Sequence, residues 1–187
     1  AVSYLYAFAR NLYDKPTGMY AAMLFLVVPF GFVSGLAMLP DAPLIAAWIA
    51  TLYYLERALL ANENRAWVGA SIAFGLGILS KYILGLLGFA ALVFILLDPT
   101  ARRWLSRPHP YLAAAAALLM FSPVIIWNIE HEWVSFLFQT GRIGGEEDGF
   151  STHKLIGYIA IVLTPVGLVA ALLALRKVFS RSNNLPE

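Results

Sequence analysis

The tract Met38-Leu39-Pro40-Asp41-Ala42-Pro43-Leu44 sets a lone carboxylate between two strongly apolar runs. An ionisable group at the rim of a lipid-buried bundle is costly unless it is solvated, paired or catalytic. Asp41 also precedes Ala42 and Pro43 as a helix N-cap would, accepting from free backbone N–H groups and favouring the positive dipole end. Capping and catalysis are compatible. Lys81 is a cation isolated between two further apolar runs, able to snorkel into headgroups or to meet an anion. Arg142 can bind a phosphate through its planar fork or pair with Glu146 or Glu147. Glu130, His131 and Glu132 suggest a metal, but three adjacent side chains cannot converge on one ion and no second histidine follows at i+4. That trio reads more simply as a wet loop, and Asn128 and Gln139 flank it as further polar candidates.

These residues need a scaffold, and composition says what kind. Apolar residues make up 60% of the chain, charged ones 13%, and the mean hydropathy is +0.74, so the chain reads as an integral membrane protein. A net charge of +2, with cations in short clusters and no basic stripe, gives no case for nucleic acid. Cysteine is absent, which removes disulfides, thiolate metal sites and cysteine nucleophiles. The chain starts at Ala1 with no basic segment and cleavage site, so no signal peptide is visible.

The charges divide the chain into an all-α bundle of about six spans. Expected spans are 19–39, 42–60, 66–80, 82–97, 111–129 and 155–175, in one transmembrane domain covering residues 1–187. Near the end of the second, Glu56 and Arg57 are placed to pair with each other. The run Ala66 to Leu97 is broken only by Lys81; as one helix it would measure about 48 Å against a hydrocarbon core of ~30 Å. Two short spans meeting at Ser80-Lys81 fit better. Val2 to Tyr13 has Tyr4, Leu5, Phe8 and Leu12 at helical spacing and predicts an amphipathic helix along a membrane face. Residues 134–139, Val-Ser-Phe-Leu-Phe-Gln, suit an interfacial stretch with its aromatics in lipid, and the glycine-rich acidic loop after it has the makings of a lid.

Alternating spans collect ten of the thirteen Lys and Arg residues on one side, against Lys81, Arg142 and Lys154 on the other. By the positive-inside rule both ends of the chain are cytoplasmic. Asp41, Lys81 and the segment from Asn128 to Lys154 then share the opposite face. No internal repeat is visible, and the charges gather at one face instead of the midplane, which argues against a secondary transporter. A noncatalytic subunit that binds a polyprenyl phosphate is the other alternative.

Several tracts in this order resemble a known family. Leu39-Pro40-Asp41-Ala42-Pro43-Leu44, Gly75-Leu76-Gly77-Ile78-Leu79-Ser80-Lys81-Tyr82, Ser122-Pro123, Trp127-Asn128, Glu132-Trp133, Ser135-Phe136, Phe138-Gln139 and Arg142 resemble the GT-C glycosyltransferases related to protein O-mannosyltransferases and the lipid A aminoarabinose transferase. The likeness spans roughly Ala1 to Arg142. It implies transfer of a sugar, in most such enzymes with inversion, from a polyprenyl-phosphate donor to a lipid, glycan or protein acceptor. The expected setting is a bacterial inner membrane with the active face periplasmic or extracellular. On that implication Asp41 is the catalytic carboxylate, and Lys81 and Arg142 hold the donor phosphate. Asn128, Glu130, His131, Glu132 and Gln139 then serve as acceptor or loop contacts. No cofactor is certain, and a divalent metal with Asp41 as a ligand stays open. Family members carry their principal acidic motif in a loop after the first transmembrane helix, and nothing here matches it. The chain is therefore expected to be a central piece of a larger enzyme, inactive by itself.

Overall fold

The computed structural model describes residues 1–28 and 41–138, and the secondary structure of these residues is entirely helical. α1 (Val2–Leu12) and α2 (Lys15–Val27) form a hairpin. Its turn is set by Asp14, whose carboxylate accepts from the Thr17 N–H at 2.8 Å with Pro16 in the first helical turn. Gly18 is obligatory at the crossing, since a Cβ there would lie 2.7 Å from the Tyr6 carbonyl oxygen. α1 packs across α3 (Asp41–Leu59) through a hydrogen bond between the Tyr4 and Tyr54 hydroxyls, 3.0 Å, and one from Asn11 to Glu56, also 3.0 Å.

The expected pairing of Glu56 with Arg57 is not what forms. Neighbours in a helix point about 100° apart, so each finds a partner elsewhere. Glu56 takes Asn11, and Arg57 turns to Glu63 in the following loop as a two-pronged ion pair.

α4 (Ala66–Ser80) returns antiparallel to α3, and α5 (Gly85–Leu97) reverses again after a 3₁₀ turn at Tyr82–Leu84. Phe74 fits over Gly88, and Ile95 joins Trp67 in one buried cluster, so the two short apolar helices form the hairpin expected around Lys81. α7 (Pro108–Glu130) runs parallel to α4, with Met120 seated on Gly75. Between them the short α6 (Pro99–Arg102) and the 3₁₀ turn Arg103–Ser106 lie at 97° to the preceding helix. Trp104, fully buried, anchors this connector against Trp67, while the Arg107 guanidinium sits 4.7 Å from the Trp104 ring. Ala58, Leu59, Trp67, Ile95, Ala101 and Trp104 thus close one end of the bundle.

The bend has a local cause. Asp98 leaves the helical region and its carboxylate accepts from the Ala101 N–H at 2.7 Å, while Pro99 starts the new helix. Asp98→Ala should lower stability by about 1 kcal/mol, read as a fall in midpoint on thermal unfolding in detergent. An unchanged midpoint would show that Trp104 alone holds the connector.

Leu, Ile and Phe side chains are exposed along α4, α5 and α7, Leu97 and Leu119 by more than 70%, which fits contact with lipid. Among the described residues α7 is the helix long and apolar enough to cross a membrane by itself, with only 17% of its apolar window buried, and the bent pair around Asp98 counts as a second crossing at most. The six-span expectation is therefore met only in part. α4, with 15 residues, reaches roughly 22 Å, short of a ~30 Å core. The first expected span lies partly, and the sixth wholly, outside the described residues.

Candidate functional site

Asp41 occupies the first turn of α3, and Lys81 follows the last residue of α4. Because these helices are antiparallel, the carboxylate sits at a positive dipole end and the ammonium at a negative one. The chain at Lys81 is extended (φ −151°, ψ 136°), its N–H still bonded to the Gly77 carbonyl at 3.1 Å. From there the Lys81 Nζ reaches Asp41 Oδ1 at 2.5 Å. Asp41 thus has a side-chain partner, and Lys81 meets an anion instead of only snorkelling. The side chains keep 43% and 31% of their surface exposed, so the contact is reachable from outside. A pair this wet is worth only about 0–1 kcal/mol to the fold.

Packing beneath the pair fixes it. Leu84, with no exposed surface, folds the hairpin tip back onto the bundle. Gly77 leaves the room: a Cβ there would lie 2.3 Å from Leu84 Cδ2 and 2.7 Å from the Ala47 Cβ. The tip is also gripped from the far side. Tyr82 meets Phe121 of α7 edge-on, ring centroids 5.7 Å apart, and stacks on Phe136 at 5.0 Å and 12°.

Phe136 arrives there because the chain reverses directly after α7. Glu132 and Trp133 both take left-handed φ angles, 54° and 60°, at a cost of roughly 1–2 kcal/mol each. Asn128 offsets that strain. It is fully buried, donates to the Val124 carbonyl at 2.9 Å, accepts from the Ser135 N–H at 3.3 Å, and its own carbonyl accepts from the Trp133 N–H at 2.8 Å. The stretch after α7 therefore departs from the expected layout, in which its aromatics lie in lipid. Phe136 turns inward onto Tyr82, while Leu137 and Phe138 stay exposed.

The other sequence candidates fall apart from the pair. His131 stacks on Trp127 at 4.2 Å and its Nδ1 lies 2.8 Å from the Trp127 carbonyl oxygen. Glu130 and Glu132 are exposed, and among the described residues no hydrogen bond or ion pair joins them or His131 to Asp41 or Lys81. Nor does any group of three His, Asp or Glu side chains there have the placement to hold a metal. Gln139 and Arg142 lie outside the described residues. Residue type alone does not mark Tyr82, Phe121, Phe136 or Gly77 as part of the site. The signals available were Tyr82 beside Lys81 and the Gly75–Gly77 spacing, which marks close helix packing.

Replacing Phe136 by Ala removes a stacked ring worth about 0.5–1.5 kcal/mol beyond its buried area. The expected result is faster proteolysis within residues 131–138, with Phe136→Tyr restoring protection. Equal cleavage of all three proteins would show that the turn at Asn128 suffices.

A helical membrane bundle with the Asp41–Lys81 ion pair at its rim defines a broad class. Comparison with known families narrows it: the model of the family described as dolichyl-phosphate-mannose-protein mannosyltransferase matches residues 1–127, and the chain belongs to that family. Its members are membrane glycosyltransferases of the GT-C type. The match includes Asp41, Lys81, Tyr82 and Phe121 and stops before the reversal that carries Phe136. No curated protein and no solved structure matches the chain.

Proposed function

We propose that the protein moves a sugar from a polyprenyl-phosphate donor to a hydroxyl of a lipid, glycan or protein acceptor, at the non-cytoplasmic face of the membrane. The observation that carries this reading is the 2.5 Å contact between Asp41 and Lys81 in a chain of this family. Sugar transfer from such a donor needs a base for the acceptor and a cation for the leaving group, and the pair offers one of each. The Asp41 carboxylate takes the hydroxyl proton as the acceptor oxygen bonds to the anomeric carbon. The bond from that carbon to the phosphate oxygen breaks, its electron pair stays on the phosphate, and Lys81, aided by Arg142, faces the charge.

A groove between α3 and α4 supports the lipid part of the reading. It runs from Pro43, two residues from Asp41, past Ala46, Ala47, Ala50, Gly69 and Ala73, with Ile72 and Leu76 also lining it, to Tyr4 and Tyr54. Small side chains on both helices leave a channel along which an isoprenoid tail can lie with its phosphate at Lys81. The test is transfer of labelled sugar from a polyprenyl-phosphate donor by the intact protein in membranes. Turnover should collapse in Asp41→Asn and Lys81→Ala, and full turnover in both would overturn the assignment.

A further inference from the structure

We infer that Lys81 is a counter-ion shared between Asp41 and the leaving phosphate, so that the two anions compete for one ammonium and the charge lost by the first during reaction is gained by the second. The inference rests on the proposed transfer reaction and goes beyond it in stating how the site balances its charges. Three observations carry it.

The first is the direct contact: Lys81 Nζ lies 2.5 Å from Asp41 Oδ1. An ammonium so engaged is not idle, and a phosphate must either add to the pair or draw it apart. The second is scarcity. The other cations of the described residues sit away from the pair: Arg10 on α1, Lys15 at the start of α2, Arg57 in the last turn of α3, and Arg65, Arg102, Arg103 and Arg107 in the connectors at that same far end of the bundle. Among the described residues, one cation therefore faces Asp41. The third is reach and exposure. Lys81 is a point charge on a four-carbon stem, extends from a hairpin tip, and is 43% exposed, so its ammonium can swing without moving the backbone. A partly exposed pair is held weakly, within range of what a nearby phosphate can draw away.

The negative charge that faces Lys81 is conserved through the reaction. A sugar-bearing polyprenyl phosphate is a diester with one negative charge, and Asp41 carries another. As the acceptor O–H bond breaks, its proton goes to Asp41, which becomes neutral. As the sugar departs, the phosphate becomes a monoester and gains the second charge. Two negative charges face Lys81 before and after, but they move from both partners onto one. Lys81 thus interacts with the phosphate more strongly late in the reaction than early, which is the kind of interaction that accelerates the chemical step.

The test is equilibrium binding of farnesyl phosphate, a short polyprenyl monophosphate, to the intact protein in nanodiscs, which needs no turnover. Four forms are compared: unmodified, Asp41→Asn, Lys81→Met and the double variant, with Lys81→Arg as a control that keeps the charge. Asp41→Asn should bind about 2–5-fold tighter, since removal of a competitor worth up to roughly 1 kcal/mol frees Lys81. Lys81→Met should bind about tenfold weaker, and adding Asp41→Asn to it should recover little. Weaker or unchanged binding by Asp41→Asn overturns the sharing. So does equal tightening in the Lys81→Met background, which would mean plain repulsion between carboxylate and phosphate. Undiminished binding by Lys81→Met instead overturns the donor-phosphate reading on which the inference rests.

Discussion

Asp41→Asn lowers sugar transfer by about 10²–10⁴-fold, the range removed with a general base, while the protein unfolds within a few degrees of its usual temperature. Asparagine keeps the size of the side chain and can still meet Lys81, so the bundle loses only a pair that is 31–43% exposed. What it cannot do is hold a proton taken from an acceptor hydroxyl. Lys81→Ala should reduce turnover comparably, because the leaving phosphate then departs without its ammonium. Lys81→Arg should recover part of the loss and no more, since the guanidinium carries the charge but not the compact head that fits beside Asp41. Initial rates with labelled donor at saturation, beside thermal unfolding of the same preparations, separate lost chemistry from lost fold. If Asp41→Asn and Lys81→Ala both turn over at the original rate, the pair is structural and the proposed roles fail.

The charges alone placed Asp41 and Lys81 on one face, forty residues apart in sequence, and the structure joins them. In a membrane bundle polar residues interrupt apolar runs where helices end, so each lone charge marks a boundary. Expected boundaries at residues 42–60 and 66–80 accordingly match α3 (Asp41–Leu59) and α4 (Ala66–Ser80) closely. Side-chain partners were less legible. Adjacent Glu56 and Arg57 looked like a pair in one dimension, but helical geometry aims them at Asn11 and Glu63. Phe136 was harder still. Its inward turn depends on two left-handed residues, Glu132 and Trp133, neither of which is a glycine that would advertise such a conformation. The compensating contacts of Asn128 are tertiary, and an apolar stretch after a span reads as interfacial whenever they are not known. Span count escaped for a different reason: hydropathy ends a helix at its charges, whereas α4 and α5 are too short to establish a crossing by length.

Gly77→Val should disable the site from beneath, with Asp41 and Lys81 both intact. The ammonium reaches the carboxylate because Leu84 tucks under the hairpin tip, and Leu84 fits because position 77 has no side chain. A first added carbon meets Leu84 Cδ2 at 2.3 Å, which a rotamer change can relieve. It also meets the Ala47 Cβ at 2.7 Å, which cannot rotate away, so α3 and α4 must separate. Overpacking of this kind costs about 1–3 kcal/mol, and valine adds two further methyl groups to it. The loss should fall on function more than on fold, because separating the helices at this level lengthens the Asp41–Lys81 contact directly. The expected reading is a turnover at least tenfold lower with a rise in donor KM, the rise reflecting a Lys81 that must be repositioned by each donor. The milder Gly77→Ala provides the internal control, since combining it with Ala47→Gly moves one methyl group across the interface and removes the immovable contact. That double variant should regain most of the turnover lost by Gly77→Ala alone. If it does not, the tip is held by Tyr82 and its two aromatic partners, and Gly77 serves only to admit Leu84.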